Sequence, residues 1–469
     1  MVDDSVTQMN SVPITLSRRP RPGAAVPRPP GSPHVHPFAS SLGHHVLVPD
    51  GSRVYDIDAA LYAELTDAIA RDDASLGDRL VELGLHSHDA ITTGAGTRPP
   101  VRYLSLAVAQ QCNLACTYCY ADGGDFGGEP ANMEVATGRA AIDRLIDDCA
   151  PGDRIGLAFM GGEPLANRRA VHELTAYAAQ RALECGVTCT FSITTNGTML
   201  RAVDIDLFDA HAFAVTVSLD GVGEVHDRLR PTKTGAGTYT RILDAITPML
   251  ARQGRLQVTA RATVTPNNLD LRATLDELVG LGFHGVGFAP ALATPSGADE
   301  LAPPDLDRLL HALIECSDEF RRRLARRERY PFTNLTSALQ LIHAGAHRPY
   351  PCGAGAAYLG IAADGAAAAC HRFVGSDAGR MGDVTTGWDD EARAAWLADR
   401  HVDLQEPCRD CWARYQCGGG CHHEVLSRGR HACDFVRSWL EHCLVTYAEV
   451  STLHPWWFPR EVRQRPDFG

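Results

Sequence analysis

The sequence lacks the features that would identify a membrane protein, an exported protein or a nucleic-acid-binding protein. No uninterrupted apolar run approaches the roughly eighteen residues that a membrane helix needs, and the first residues, MVDDSVTQMN, show no basic-then-apolar signal pattern. No long Lys/Arg block occurs, and the formal net charge of -13 disfavours attraction to phosphate backbones. We therefore expect a cytoplasmic protein that binds neither membrane nor nucleic acid.

Cysteine, in contrast, is abundant and clustered. The chain has 469 residues, of which 45% are hydrophobic and 22% charged, so two or three folded domains are expected. Of its 15 cysteines, three fall between 112 and 119 and eight between 352 and 443. In a large chain without an export signal, such clusters indicate metal ligation instead of a disulfide scaffold.

The N-terminal part of the chain predicts a tail and a small module. Residues 1–33 are rich in proline and arginine and predict a disordered tail. Residues 34–98 predict an α+β module with two short strands around an Asp50-Gly51 turn, followed by helices near 58–71 and 76–84.

The rest of the chain predicts an α/β domain and a cysteine-rich domain. Within 99–320, helical stretches alternate with six β-rich runs: YLSLAVA, RIGLAFMGG, CTFSITTNG, FAVTVSLDG, LQVTARATVTPN and HGVGFAPA. Six βα units predict a parallel sheet curled into a partial (β/α)6 TIM-like barrel, with functional residues at the carboxyl ends of its strands. Residues 345–450 show little periodicity, which predicts a region held by metal clusters more than by a large apolar core. Residues 451–469 are a predicted C-terminal tail.

The first cysteine cluster follows the first predicted strand directly. The segment QCNLACTYCYA contains Cys112, Cys116 and Cys119. Three thiolates can hold three of the four irons of a cubane cluster, which leaves one iron open to chelate a cofactor. A ferredoxin would supply a fourth cysteine nearby. A zinc site, or unconnected buried cysteines, is the alternative interpretation.

This spacing, with Tyr118 before the last cysteine, resembles the defining motif of the radical S-adenosylmethionine (SAM) superfamily. The resemblance implies that the catalytic residues Cys112, Cys116 and Cys119 hold a 4Fe-4S cluster whose open iron binds SAM. It further implies an external one-electron donor of the flavodoxin or ferredoxin type. That electron cleaves SAM to a 5′-deoxyadenosyl radical, which abstracts a hydrogen from the substrate.

Three later motifs resemble the cofactor-binding segments of the same family, and each follows a predicted strand. They are MGGEP at 160–164, TTNGT at 194–198 and SLDG at 218–221, and the run HDRLRP at 226–231 resembles a further family segment. The implied cofactor-binding residues are Tyr118, Gly161, Gly162, Glu163, Asn196, Ser218 and Asp220. A GGEP segment alone would indicate a plain turn, and turn formation remains an alternative role for Asn196 and Asp220.

The C-terminal cysteines match the seven-cysteine pattern of the SPASM domain, and the resemblance covers residues from about 103 to 445. It implies two auxiliary 4Fe-4S clusters. One would be held by Cys408, Cys411, Cys417 and Cys433, and the other by Cys352, Cys370 and Cys421. Glycines at 418–420 would offer backbone NH groups to the sulfurs.

Two ligand assignments stay open. Tyr358 stands where sulfatase maturases have the cysteine that completes the second cluster, so the fourth ligand is a non-cysteine residue, water or substrate. Cys443 competes with Cys433 as a ligand, but its helical sequence pattern favours a buried structural thiol.

The SPASM resemblance implies a maturase that oxidises a ribosomally made peptide or protein side chain, for example by forming a thioether or carbon–carbon cross-link. The sulfatase maturases are one alternative; they carry a basic aspartate directly after the cysteine matching Cys370, and His371 at that position disfavours formylglycine formation. A noncatalytic iron–sulfur electron carrier is the alternative of another class, although a carrier has no need of GGEP and SLDG. The N-terminal module is either a leader-peptide recognition element that works by strand addition or a structural cap on the barrel.

Overall fold

The computed structural model describes residues 35–49, 52–85 and 99–459. The tail predicted at 1–33, the Asp50-Gly51 turn and the last ten residues of the predicted C-terminal tail lie outside these ranges. Within them, no helix combines the length and the apolarity that crossing a membrane requires.

The N-terminal module is a three-stranded antiparallel sheet packed against two helices. Its elements are β1 (His36–Ser40), β2 (Gly43–Val48), β3 (Arg53–Ile57), α1 (Ala59–Ala70) and α2 (Leu76–Glu82). The structure confirms the two predicted strands and both helices, and it adds β1, which was not predicted. Because β2 lies in the middle, β3 forms an outer edge of this sheet.

Six parallel strands form the central sheet, and the predicted partial barrel is confirmed. They are β4 (Tyr103–Gln110), β6 (Arg154–Gly161), β7 (Thr188–Thr195), β8 (Ala214–Ser218), β9 (Gln257–Val264) and β10 (Gly285–Pro290); a short β5 (Ala131–Asn132) pairs antiparallel with β4. Their order in the sheet is β4-β6-β7-β8-β9-β10. Each strand is a β-rich run that the sequence predicts.

Helices cover the outer face of this sheet. They are α3 (Val135–Asp147), α4 (Arg168–Glu184), α5 (Ala202–Ala210), α6 (Glu224–Leu229), α7 (Tyr239–Leu250), α8 (Leu271–Gly280) and α9 (Pro303–Ala325). Strand β9 shows how the two-residue period separates the faces. Val258, Ala260 and Ala262 are at most 2% exposed and join the apolar core, whereas Arg261 and Thr263 line the barrel interior.

The C-terminal region extends the same sheet. It contains α10 (Thr333–His343), β11 (Tyr358–Ile361), β12 (Ala366–Ala368), β13 (Arg380–Asp383), β14 (Gly387–Trp388), α11 (Asp390–Arg400), α12 (Arg414–Cys417), α13 (His422–Arg428) and α14 (Cys433–Leu453). Strand β11 pairs in parallel with β4, from Tyr358 opposite Tyr103 to Ile361 opposite Leu106. Leu359 and Phe373 belong to the same apolar core as Leu104. The prediction that this region depends on clusters more than on a large apolar core was wrong in that respect, because a strand added to the barrel sheet shares the barrel's core.

The N-terminal module packs on the last long helix. The Ser41 hydroxyl donates a hydrogen bond to Glu449 Oε1 on α14 at 2.6 Å, and His36 pairs with Glu441. Phe38 and Leu47 are buried in the main apolar core. The barrel and this module are therefore joined through buried side chains.

Candidate active site

One interior cavity of about 1110 Å³ runs through the barrel. Its wall includes six cysteines from both cysteine-rich segments: Cys112, Cys116, Cys119, Cys352, Cys370 and Cys421. All six thiols are free of disulfides. The sheet therefore brings side chains separated by more than two hundred residues in sequence to one internal space.

The loop after β4 holds the first three cysteines at the carboxyl end of the sheet. The backbone NH of Leu114 donates to Cys112 Sγ at 3.4 Å, and the NH of Cys119 donates to the carbonyl of Cys116 at 3.2 Å. Burial raises the pKa of Cys116 to about 12. A coordinated iron overcomes such a cost because it deprotonates a thiol outright, so this group of thiols fits a metal cluster.

Two glycines let the end of β6 approach this loop. A Cβ on Gly161, whose φ is +137°, would lie 2.2 Å from the Ala109 carbonyl oxygen, and one on Gly162 would lie 2.3 Å from that of Gln111. The NH of Gly162 donates to the Ala109 carbonyl at 2.8 Å. Both glycines also line the cavity. Because they lack side chains, the backbone of this segment can lie directly against the cysteine loop.

Glu163 is fully buried and fastens the second strand to the third. Its carboxylate accepts hydrogen bonds from the Thr195 hydroxyl at 2.7 Å, the Asn196 NH at 2.7 Å and the Leu165 NH at 3.0 Å. Burial raises the pKa of Glu163, and these hydrogen bonds oppose the rise. Glu163 does not line the described cavity, so it acts on the cavity by holding the backbone of the MGGEP segment in place.

Asn196 and Ser218 face the cavity. The Asn196 side-chain NH2 donates to Asn113 Oδ1 at 3.0 Å and approaches Cys112 Sγ at 3.7 Å. Its Oδ1 accepts from the NH of Thr198 at 3.0 Å. Asn196 therefore forms a turn and also borders the first cysteine group, so the two roles left open by the sequence are compatible.

Asp220 joins three segments around the site. Its carboxylate accepts hydrogen bonds from the Tyr118 hydroxyl, from Arg230 Nε at 2.8 Å and from the Thr263 NH at 2.8 Å. Asp220 is 1% exposed, and all three donors are protein groups. The cysteine motif, the HDRLRP run and β9 are thereby held together, which places Asp220 behind the cavity wall and Tyr118 and Arg230 in it.

The second cavity group consists of Cys352, Cys370 and Cys421. Burial, with a contribution from the nearby Cys352 and Cys421, raises the pKa of Cys370 to about 12. Backbone NH groups of Ala354 and Arg372 donate to Cys352 and Cys370, and the Arg372 guanidinium donates to Cys421 Sγ at 3.6 Å. Donors aimed at sulfur favour thiolates, so these residues fit the ligation of an iron–sulfur cluster.

Tyr358 and His371 adjoin this group. The Tyr358 hydroxyl donates to Ser105 Oγ at 2.8 Å and lies 2.8 Å from His371 Nδ1. Both side chains line the cavity. The phenol is therefore engaged in a buried polar chain beside the cysteines.

The other four auxiliary cysteines lie outside the described cavity wall. Burial is the largest cause that raises the pKa of Cys408, to about 11, and the nearby Cys417, Cys433 and Cys411 add to it. The φ angles of Gly418, Gly419 and Gly420 are 74°, 92° and 79°, and the NH groups of the last two donate to Cys417. The expected glycine donors are thus confirmed for Cys417. These contacts also fit a cluster.

The remaining cysteines pack in the protein interior. Cys443 on α14 is fully buried, and Cys316 on α9 is too. Cys149, Cys185 and Cys189 pack against the main core. Within the described ranges, no group of three His, Cys, Asp or Glu side chains converges on a point that could hold a single metal ion.

Sequence reasoning missed four charged residues of the cavity wall: Arg154, Arg261, Arg372 and Glu424. Arg261 interrupts the run LQVTARATVTPN at an inward position, and a cation inside a barrel strand is a signal that the alternation could have revealed. Arg372 follows His371 and forms an ion pair of 2.7 Å with Glu424 on α13. That pair depends on tertiary contact between distant segments.

Comparison with known proteins agrees with this geometry. The model of the Radical SAM superfamily matches residues 106–278. The chain is 26% identical over 351 residues to the serine-type anaerobic sulfatase-maturating enzyme of Klebsiella aerogenes, covering 73% of this chain and 85% of the relative. It is also 37% identical over 154 residues to a GTP 3',8-cyclase of Parasynechococcus marenigrum, covering 30% of this chain and 41% of that enzyme.

Two solved structures share the fold. Native anSMEcpe with bound AdoMet has a TM-score of 0.64 at 19% identity, covering 75% of this chain and all of that one. Streptococcus suis SuiB bound to precursor peptide SuiA has a TM-score of 0.51 at 13% identity, covering 84% and 96% of the two chains. The family binds a 4Fe-4S cluster and SAM. Residues 106–278 of this chain form a radical SAM domain.

Proposed function

We propose that this protein is a radical SAM peptide maturase that oxidises a side chain of a ribosomally made peptide and so forms a thioether or carbon–carbon cross-link. The observation that carries the proposal is the shared cavity, whose wall contains Cys112, Cys116 and Cys119 together with Cys352, Cys370 and Cys421. A carrier needs no internal space between two metal groups. An enzyme that removes a hydrogen and then an electron from one substrate does need it.

The two cysteine groups on the cavity would hold the SAM-binding cluster and one auxiliary cluster, while Cys408, Cys411, Cys417 and Cys433 would hold the other. When bound, SAM and the clusters would supply a 5′-deoxyadenosyl radical that takes one hydrogen atom, an acceptor for the electron that remains, and a connection to an external flavodoxin- or ferredoxin-type donor. Gly161, Gly162, Asn196, Ser218 and Tyr118 would surround SAM. Glu163 and Asp220 act as positioning residues, because both are buried and their carboxylates accept hydrogen bonds from neighbouring segments of the barrel.

The cavity wall between the two groups suits a peptide side chain. Tyr120 packs edge-on against His371 with ring centroids 5.5 Å apart, and Tyr358 bonds the same imidazole. These rings form a rigid, largely apolar wall that carries one row of hydrogen-bonded groups, Ser105, Tyr358 and His371. A side chain held there is kept from water and aligned toward both groups, which lowers the entropy cost of reaction.

We also propose that the N-terminal module captures the leader of the precursor along β3. Strand β3 is the outer edge of its sheet, and β1 on the opposite edge packs against α14. An extended peptide gains main-chain hydrogen bonds when it adds to such an edge. SuiB, of similar fold, was solved with a precursor peptide, which supports a peptide partner for this chain.

A side-chain oxidase acting on sulfatase-like proteins is the second candidate. The 26% identity to the Klebsiella aerogenes enzyme over 73% of this chain favours it. His371 disfavours it, because His371 occupies the place of the aspartate base and its Nδ1 is already bonded to Tyr358. We therefore rank it below the peptide maturase.

Coexpression with short peptides encoded beside the gene tests the proposal. A peptide with repeated aromatic, Cys, Asn or Lys motifs should lose two hydrogen atoms per cross-link, detected by mass spectrometry after anaerobic expression. The matched control is the Cys112→Ala/Cys116→Ala/Cys119→Ala variant, which should return the peptide unmodified. Conversion of serine or cysteine to formylglycine in a sulfatase peptide would favour the second candidate instead.

A further inference from the structure

Arg261 stands out among the charged residues of the cavity. It lies on β9 opposite Ser218 of β8 and Gly287 of β10, at an inward position of the strand. The small side chain of Ser218 leaves room on one side of Arg261, whereas Thr333 fills the space beside Gly287. Arg261 lies inside the barrel, and its side chain is exposed to the cavity that it lines.

The other cations near it are paired. Arg230 bonds Asp220 at 2.8 Å, and Arg372 bonds Glu424 at 2.7 Å. Arg261 forms no side-chain hydrogen bond or ion pair with any residue of the described ranges. Burial lowers the pKa of Arg261, and the charge of Arg372 lowers it further. A guanidinium left without a partner in a confined space is costly, and its planar fork matches a carboxylate.

We propose that Arg261 binds a carboxylate of the substrate, either an Asp or Glu side chain or the C-terminal carboxylate of the peptide, next to the residue that is modified. This inference rests on the proposed function and adds a substrate class to it. The chain as a whole carries a net charge of -13, which repels an acidic peptide at long range. A local cation inside the cavity would then select which part of a peptide enters.

The neighbours of Arg261 favour the substrate over SAM as the source of the carboxylate. Of the groups whose charge affects its pKa, Arg372, Glu424 and Cys421 belong to the C-terminal region, and Tyr120 follows Cys119. The cation whose charge acts on Cys112 and Cys116 is Arg230 instead. Cys421 already receives a guanidinium donor from Arg372, so compensation of an auxiliary cluster does not require Arg261.

Binding of three N-acetylated glycine pentapeptides, two of them with an amidated C-terminus, to the anaerobically reconstituted full chain with SAM tests the proposal. One has a central aspartate, one a central asparagine, and one a central asparagine with a free C-terminal carboxylate. Ligand-observed NMR should show that the protein prefers at least one carboxylate peptide over the neutral one by on the order of 10- to 100-fold. Arg261→Gln should remove the preference, and Arg261→Lys should keep part of it. The matched control is Arg241→Gln on the outer face of α7, which should keep it fully.

The pattern of results separates the possible sources and roles. Preference for the aspartate peptide identifies a side-chain carboxylate, and preference for the free C-terminus identifies the α-carboxylate. Equal binding of all three peptides, no binding of any, or a preference that survives in Arg261→Gln would overturn the inference. The inference would also be overturned if Arg261→Gln lost as much affinity for SAM as for the carboxylate peptide. The same holds if Arg261→Gln shifted the cluster reduction potential and left the peptide preference unchanged. A cross-linked product without carboxylate preference would sink this inference alone, whereas carboxylate binding without any product would sink only the proposed function.

Discussion

The two auxiliary cysteine groups are assembled in different ways. Cys408, Cys411, Cys417 and Cys433 come from one stretch of chain, and local turns with consecutive positive-φ glycines bring them together. Cys352, Cys370 and Cys421 come from three separated segments that meet only because β11 joins the barrel sheet beside β4. The first of these, the local group, lies outside the cavity. The second, the assembled group, lines it. Substrate contact is therefore expected at the assembled group and electron relay at the local one.

The largest effect is expected at the cavity itself. The Cys112→Ala/Cys116→Ala/Cys119→Ala variant should hold about eight irons instead of about twelve, because one of three cubanes loses its ligands. It should also lose reductive cleavage of SAM. An iron assay and chromatography of 5′-deoxyadenosine check both, with Cys149→Ala as the control. Unchanged iron content would refute the assignment of this group.

Removing the local group should separate radical formation from product formation. Cys408→Ala/Cys411→Ala should lose about four irons, keep SAM cleavage in the absence of peptide, and form no product. Cys352→Ala/Cys370→Ala should lose a similar amount of iron and also form no product. Normal product from the first variant would show that the local group takes no part in the oxidation.

A smaller effect is expected behind the cavity wall. Glu163→Ala removes the acceptor of three buried donors, so unfolding should become easier by about 2–4 kcal/mol. The exposed Glu184 pairs with Arg181 and Gln180 in the described structure, and Glu184→Ala should cost much less stability than Glu163→Ala. Thermal melts of the anaerobic protein compare the two. Equal losses would contradict the support role of Glu163.

The smallest effect is expected farthest from the cavity. Precursor binding should slow amide exchange at alternate residues of 53–57 in β3 and leave β1 unchanged, because β1 is already packed on α14. Hydrogen–deuterium exchange with and without the precursor measures this. The whole module cannot simply be deleted, since Phe38 and Leu47 belong to the main core. No protection in β3 would leave the module as a structural cap.

The fold was predictable where the signals are local. Each barrel strand is a β-rich run that ends at a motif, and the two-residue period of β9 can be read directly in LQVTARATVTPN. Strands β1 and β11 were missed because HPFAS and YLGI are short and lack flanking signals. The large shared core of the C-terminal region was missed for the same reason, because it depends on the pairing of Tyr358 with Tyr103 across the sheet.

By itself, the sequence determined the cysteine spacings, the barrel strands and the motifs at their ends, because these depend on neighbours a few residues apart. Only the tertiary structure decided that six of the cysteines share one cavity, that Glu163 and Asp220 bond protein groups, and that Arg261 has no partner among the described residues. These facts depend on which distant side chains meet. Contacts of that kind are the sum of sheet order, register and packing over the whole domain, and no local pattern encodes them.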